Sequence, residues 1–161
     1  LARVQAFTLI ELIIVMAVLT VLLALAAPSL SSSLRGHHLE QAGAQLLALT
    51  EYGRDEAISQ GVPMDVWLNP ENGQYGVTAK AGYPGDPARD KQYTLDGEMH
   101  FDAATSGVPA GHSLNVAEFE PDGTLDPSSN AVMRIVDRSQ AGVSITETTD
   151  GYGYELQKET R

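Results

Sequence analysis

A chain of 161 residues with no cysteine, 21 acidic against 10 basic side chains and a formal net charge of −11 has no disulfide to staple it, no thiolate nucleophile and no cysteine-ligated metal. The negative balance repels phosphate backbones, so nucleic acid is not an expected partner. The length allows one helix and one compact domain of roughly a hundred residues.

The chain begins with an apolar run. From Phe7 to Ala27 only Thr8, Glu11 and Thr20 are polar, and at 1.5 Å per residue the run spans about 30 Å, the thickness of a bilayer's hydrocarbon core. An acidic residue costs roughly 2.5–3.5 kcal/mol at the centre of a membrane helix and less near its end, which makes Glu11 a functional residue in need of a partner. Arg3 is the basic residue before the run and fits a cytoplasmic N-terminus. The alternative is a secretory signal peptide, cut where Ala24, Ala26 and Ala27 lead into Pro28 and Ser29. Such a peptide has an apolar region of only about 7–15 residues, and it has no use for Glu11.

Phe7-Thr8-Leu9-Ile10-Glu11, followed by the apolar run and Pro28, resembles the N-terminal segment of type IV pilins and type II secretion pseudopilins. The resemblance implies cleavage by prepilin peptidase between Ala6 and Phe7 on the cytoplasmic face, N-methylation of Phe7, and use of Glu11 in filament assembly. Ala6 stands where that family usually has Gly. The spacing makes physical sense beside the resemblance. Cleavage before Phe7 creates an α-amine four residues from Glu11, and positions i and i+4 share a helix face, so amine and carboxylate can pair within a subunit or between neighbours. The helix dipole adds about 0.3–1 kcal/mol in favour of an acid in the first turn. The bland alternative is that Glu11 snorkels to the headgroups.

Beyond the run, Pro28, the serines 31–33 and Gly36 are poor helix formers and predict a kink at Pro28. Leu39, Ala42, Leu46, Leu49, Gly53 and Ala57 then recur at spacings of three and four, with Leu47 and Ile58 broadening the stripe, while Glu40, Gln41, Gln45, Glu51, Arg54 and Asp55 lie mostly off it. Gly61 followed by Val62-Pro63 ends the helix. If continuous, the helix from Phe7 to Gln60 measures about 80 Å.

After Gly61 the period becomes strand-like. Residues 63–68, 74–79, 93–95, 99–101, 114–119, 131–136, 143–148 and 152–156 are short runs rich in β-branched and aromatic side chains. Turn chemistry separates them at 69–73, at Glu120-Pro121-Asp122-Gly123 and at Thr149-Asp150-Gly151. Residues 80–92 and 102–113 read as exposed loops. The expected fold class is α+β and pilin-like, a long N-terminal helix packed through its amphipathic half on one antiparallel sheet of about six to eight strands. The expected division is a leader remnant at 1–6, a transmembrane and assembly helix at 7–28, the amphipathic half at 29–61 and a β-rich globular domain at 62–161.

The segments 46–58, Gly61-Val62-Pro63-Met64-Asp65-Val66, Phe119-Glu120-Pro121-Asp122-Gly123 and the closing hairpin look like the minor pseudopilin H and FimT-like group. The resemblance implies a structural and assembly subunit of a type II secretion pseudopilus, a minor one, that contributes to protein export. It implies as partners prepilin peptidase, other pseudopilins or pilins through the N-terminal helix, the inner-membrane assembly platform and the lipid bilayer. The place it implies is the inner membrane, crossed once, with the C-terminal domain periplasmic. The alternative is a FimT-like type IV minor pilin in pilus assembly, adhesion or DNA uptake. Some of that group bind DNA through basic residues near the C-terminus, whereas Tyr154 to Arg161 mixes charges of both signs. A third reading is an anchored periplasmic binding module to which Glu11 is indifferent.

Enzymatic chemistry finds little support. The histidines are His37, His38, His100 and His112, and the adjacent pair does not form the i, i+4 arrangement of a helical metal site. No nucleophile elbow, phosphate loop or dinucleotide fingerprint occurs. Asp122 and Asp126 raise the question of calcium, but they lack the dense alternation of oxygen ligands that the ion needs and read as an Asp-Gly turn. No cofactor and no metal are expected.

Overall fold

The computed structural model describes residues 9–102 and 114–158, the side chains of 25–35, Leu114 and Lys158 excepted. Its elements are a helix α1 (Leu9–Gln60) and eight strands: β1 (Met64–Asn69), β2 (Gln74–Ala79), β3 (Lys91–Thr94), β4 (Met99–Phe101), β5 (Leu114–Phe119), β6 (Val132–Asp137), β7 (Gly142–Glu147) and β8 (Tyr154–Lys158). A 3-10 turn at Pro87–Arg89 precedes β3. The chain divides into two compact units, Leu1–His37 and His38–Arg161.

In the first unit the helical assignment runs through Pro28 without a break. In the second, the strands form two four-stranded sheets, ordered β3-β2-β1-β5 and β4-β6-β7-β8, with every pairing antiparallel. The single sheet expected from the sequence is therefore corrected to two. The reason lies after β5. The Glu120–Gly123 turn closes on one isolated bridge, Phe119 to Leu125, rather than on a hairpin. The chain then continues to β6, which pairs with β4 and β7. The turns at 69–73 and 149–151 do close hairpins, β1 to β2 and β7 to β8.

Both sheets share one core with the His38–Gln60 stretch of α1. Leu39, Ala42, Leu46, Leu49 and Ala57 are buried, as the spacing predicts. Two glycines let the helix approach closely. A Cβ at Gly43 would stand 2.9 Å from Val143 of β7 and 3.0 Å from Leu156 of β8, and one at Gly53 would stand 3.3 Å from Val77 of β2. The helix thus seats on the second sheet at Gly43 and on the first at Gly53. At Gly61 the backbone turns left-handed, φ +67°, and its N–H donates to the Ala57 carbonyl at 3.0 Å, which ends the helix as expected.

The stripe has exceptions. Ile58 is 49% exposed, while Glu56 is 6% exposed. Glu56 finds partners in the interior: Arg89 meets it at 2.9 Å and Gln60 Nε2 donates to it at 2.9 Å. Tyr52 donates to the Arg89 carbonyl and the Asp86 N–H donates to Gln60 Oε1. The 80–92 connection is a clasp on the end of the helix as well as an exposed loop.

Candidate functional site

Of the residues singled out in the sequence, Ala6 and Phe7 lie outside the described residues, and Glu11 stands in the first turn of α1. Around Glu11 the helix is apolar on every side. Leu9, Ile10, Leu12, Ile13, Ile14, Met16, Val18, Val21, Leu22 and Leu23 are all more than half exposed, from 53% to 77%. A helix apolar all round belongs in lipid or among other helices rather than against water. Thr20 returns its hydroxyl to the Met16 carbonyl at 2.8 Å, so its polarity is spent within the helix. Among the described residues no helix is long and apolar enough to cross a membrane; the apolar run of the sequence, 7–27, begins and ends outside the described side chains.

Among the described residues the histidines form no catalytic grouping. His37, His38 and His100 are exposed, and His112 lies outside the described residues. A cleft of about 360 Å³ between α1 and the β7–β8 turn is lined by Glu51, Arg54, Asp55, Asp150 and Tyr152, among others. Arg54 is committed within it, donating to the Gly123 carbonyl at 3.0 Å and lying 5.6 Å over the Tyr152 ring. Asp122 and Asp126, the pair considered for calcium, cap their own turns by accepting from Thr124 and Ser128.

A polar cluster missed in the sequence occupies the first sheet. Asp65 of β1 faces Glu118 of β5 in register, and Lys80 just past β2 pairs with Glu118. Asp65 is 4% exposed; its Oδ2 accepts from Asn115 Nδ2 at 2.6 Å, and Oδ1 is buried with no partner. Burial above all, then the charge of Glu118, raises its pKa to about 6, against the pull of Lys80 and Asn115. Alternating strand residues would have shown Asp65 pointing away from the helix, but not that this face is covered.

The folded chain holds the Asp65 proton more tightly than the unfolded chain, so the stability it contributes is complete below about pH 4 and is lost as pH rises through about 6. The upper bound is about 3 kcal/mol at 1.36 kcal/mol per pKa unit. Asp65→Asn is expected to raise the melting temperature at pH 7 and flatten this stretch of the stability curve. A pH profile identical to wild type would refute the assignment.

The all-apolar helix and the two sheets bearing on its second half define a pilin-type subunit. Residues 1–27 match the prokaryotic N-terminal methylation motif, and residues 42–151 match the type II transport protein GspH. The chain belongs to the GspH family of type II transport proteins and is a structural subunit, a minor pseudopilin of type II secretion. Among solved structures it is similar to the type IV minor pilin FimU of Pseudomonas aeruginosa, at 17% identity over 78% of this chain and 91% of that chain, with a TM-score of 0.54. It is also similar to the minor pseudopilin EpsH from the type 2 secretion system of Vibrio cholerae, at 16% identity over 74% of this chain and 93% of that one, TM-score 0.48. Comparison with curated proteins gives no match.

Proposed function

We propose that this chain is cut between Ala6 and Phe7 by prepilin peptidase, N-methylated on Phe7, and assembled into a periplasmic pseudopilus through pairing of Glu11 with the α-amine of a neighbouring subunit. The observation that carries the reading is the helix apolar on all sides from Leu9 to Leu23, broken only by Glu11 and a self-satisfied Thr20. The methylation-motif match over residues 1–27 supports the processing steps. The apolar segment from Phe7 through Pro28 anchors the chain in the inner membrane, Pro28 bends the helix as it leaves the bilayer, and the domain stands in the periplasm. The subunit works by binding other pseudopilins and the assembly platform, without catalysis, cofactor or nucleic acid. The fold likeness to FimU suits a type IV minor pilin equally; secretion is preferred because the family match is to type II transport proteins.

Mass spectrometry tests the processing. Co-expression with a prepilin peptidase is expected to remove residues 1–6 and leave an N-methylated phenylalanine. An N-terminus near Ser29 would mean signal-peptide removal instead, and an uncut chain in peptidase-positive cells would end the proposal.

A further inference from the structure

We propose that the cleft between α1 and the β3–β4 connection binds an N-acetylated sugar unit of a glycan. The cleft measures about 310 Å³, near the lower end of the range of ligand clefts, about 300–1,000 Å³. Its floor includes Tyr75 of β2 and Leu95, which are 1% and 7% exposed. Its rim carries His38, Gln41 and Gln45 of the helix and Asp96 of the connection, all exposed. Positions 38, 41 and 45 share one helix face through spacings of three and four. The backbone fixes the connection: the Leu95 N–H donates to the Gly73 carbonyl at 2.9 Å, and the Met99 N–H donates to the Asp96 carbonyl at 2.8 Å.

Tyr75 is the observation that asks for a ligand. Its hydroxyl makes no hydrogen bond to any described residue. Among the described residues, Asp65 Oδ1 is the fully enclosed side-chain atom that lacks a partner. The Tyr75 hydroxyl therefore still meets open space, and the open space that Tyr75 borders is this cleft. A buried tyrosine ordinarily gives its hydroxyl a partner, and a ligand would supply the bond this one lacks. Phe101, edge-on at 5.7 Å, and Tyr93, at 5.8 Å, hold the ring in place, so little ordering is left for binding to impose on it. Burial, then the neighbouring Tyr93, pushes its pKa up to about 12, which keeps it a neutral donor. With Leu95 sharing the floor, the group that enters should pair one acceptor with an apolar end. An acetamido carbonyl and its methyl do both. At the rim each glutamine amide donates and accepts, as does a neutral imidazole, and sugar hydroxyls, which also do both, match them. Asp96 is the one formal charge among the lining residues, so the cleft suits a neutral ligand better than an ionic one.

The test uses the full chain in a zwitterionic detergent without sugar headgroups. Tri-N-acetylchitotriose is titrated against it and saturation-transfer NMR is read at the acetyl methyl protons, with cellotriose, which lacks the acetamido group, as the comparison. Saturable binding is expected with a Kd on the order of 10⁻³ M, as for one ring held by a few hydrogen bonds, and cellotriose should bind severalfold more weakly. Tyr75→Phe removes the hydroxyl alone and should weaken binding about fivefold or more. Its melting temperature should stay at or above that of wild type, because the hydroxyl bonds nothing in the folded chain. Gln41→Ala, at an exposed position, should weaken binding severalfold and leave the fold intact. No saturable transfer, cellotriose bound as well as the acetylated sugar, or undiminished binding in either variant would each overturn the proposal. A Tyr75→Phe chain that melts well below wild type would overturn it too, since the hydroxyl would then be bonded within the fold.

Discussion

Leu46→Asp is expected to unfold the second unit. Leu46 is 1% exposed in the middle of the core shared by the helix and both sheets. Removing a buried leucine costs about 2–5 kcal/mol, and an unpaired carboxylate in its place adds several more. The sum reaches the whole stability of a typical domain, about 5–15 kcal/mol. Circular dichroism of the detergent-solubilised chain should show no cooperative β-sheet transition. Ala48→Asp, at an exposed position of the same helix, should stay within about 1 kcal/mol of wild type. A normal transition in Leu46→Asp would mean that the helix does not organise the sheets.

Glu11→Leu is expected to separate insertion from assembly. The change removes an acid that costs up to roughly 2.5–3.5 kcal/mol in a membrane helix, so insertion should be at least as efficient as in wild type. Assembly should fail, because deleting one partner of a desolvated charge pair costs about 2–5 kcal/mol, roughly 30-fold or more in subunit association. Co-purification with the other pseudopilins and export of the secreted cargo measure it. Glu11→Asp, which keeps the charge and shortens its reach, should fall between. A Leu variant that assembles and secretes normally would reduce Glu11 to a residue that snorkels.

Local patterns that report on local structure were legible in the residues alone. The three- and four-residue recurrence from Leu39 to Ala57, the Gly61 stop and the strand runs at 74–79, 99–101 and 114–119 correspond to the observed buried face, helix end and strands. Each depends on a few neighbouring residues, whose period or backbone freedom dictates one conformation. Family membership was legible for the same reason, since its most specific mark is a short stretch around Phe7 and Glu11, now joined by the match over 42–151.

Pairing between distant segments was decided only by the tertiary structure. An alternating strand states which face it buries, not which strand it lies beside. Nothing in 99–101 or 132–137 announced that β4 would join β6 in a second sheet. Nothing in the loop at 80–92 announced that Arg89 would reach back to Glu56, a residue that helical periodicity alone leaves without a reason to be buried. The acidic cluster behaves likewise. Asp65, Lys80, Glu118, Glu120 and Asp126 are scattered polar residues in the chain. The β1–β5 register and the turn after β5 bring them together, and there burial and the charge of Glu118 raise the pKa of Asp65. Sequence by itself determined the elements, the apolar helix with its one acid and the family; the fold determined the partners of each element, because burial and charge depend on what lies across space rather than along the chain.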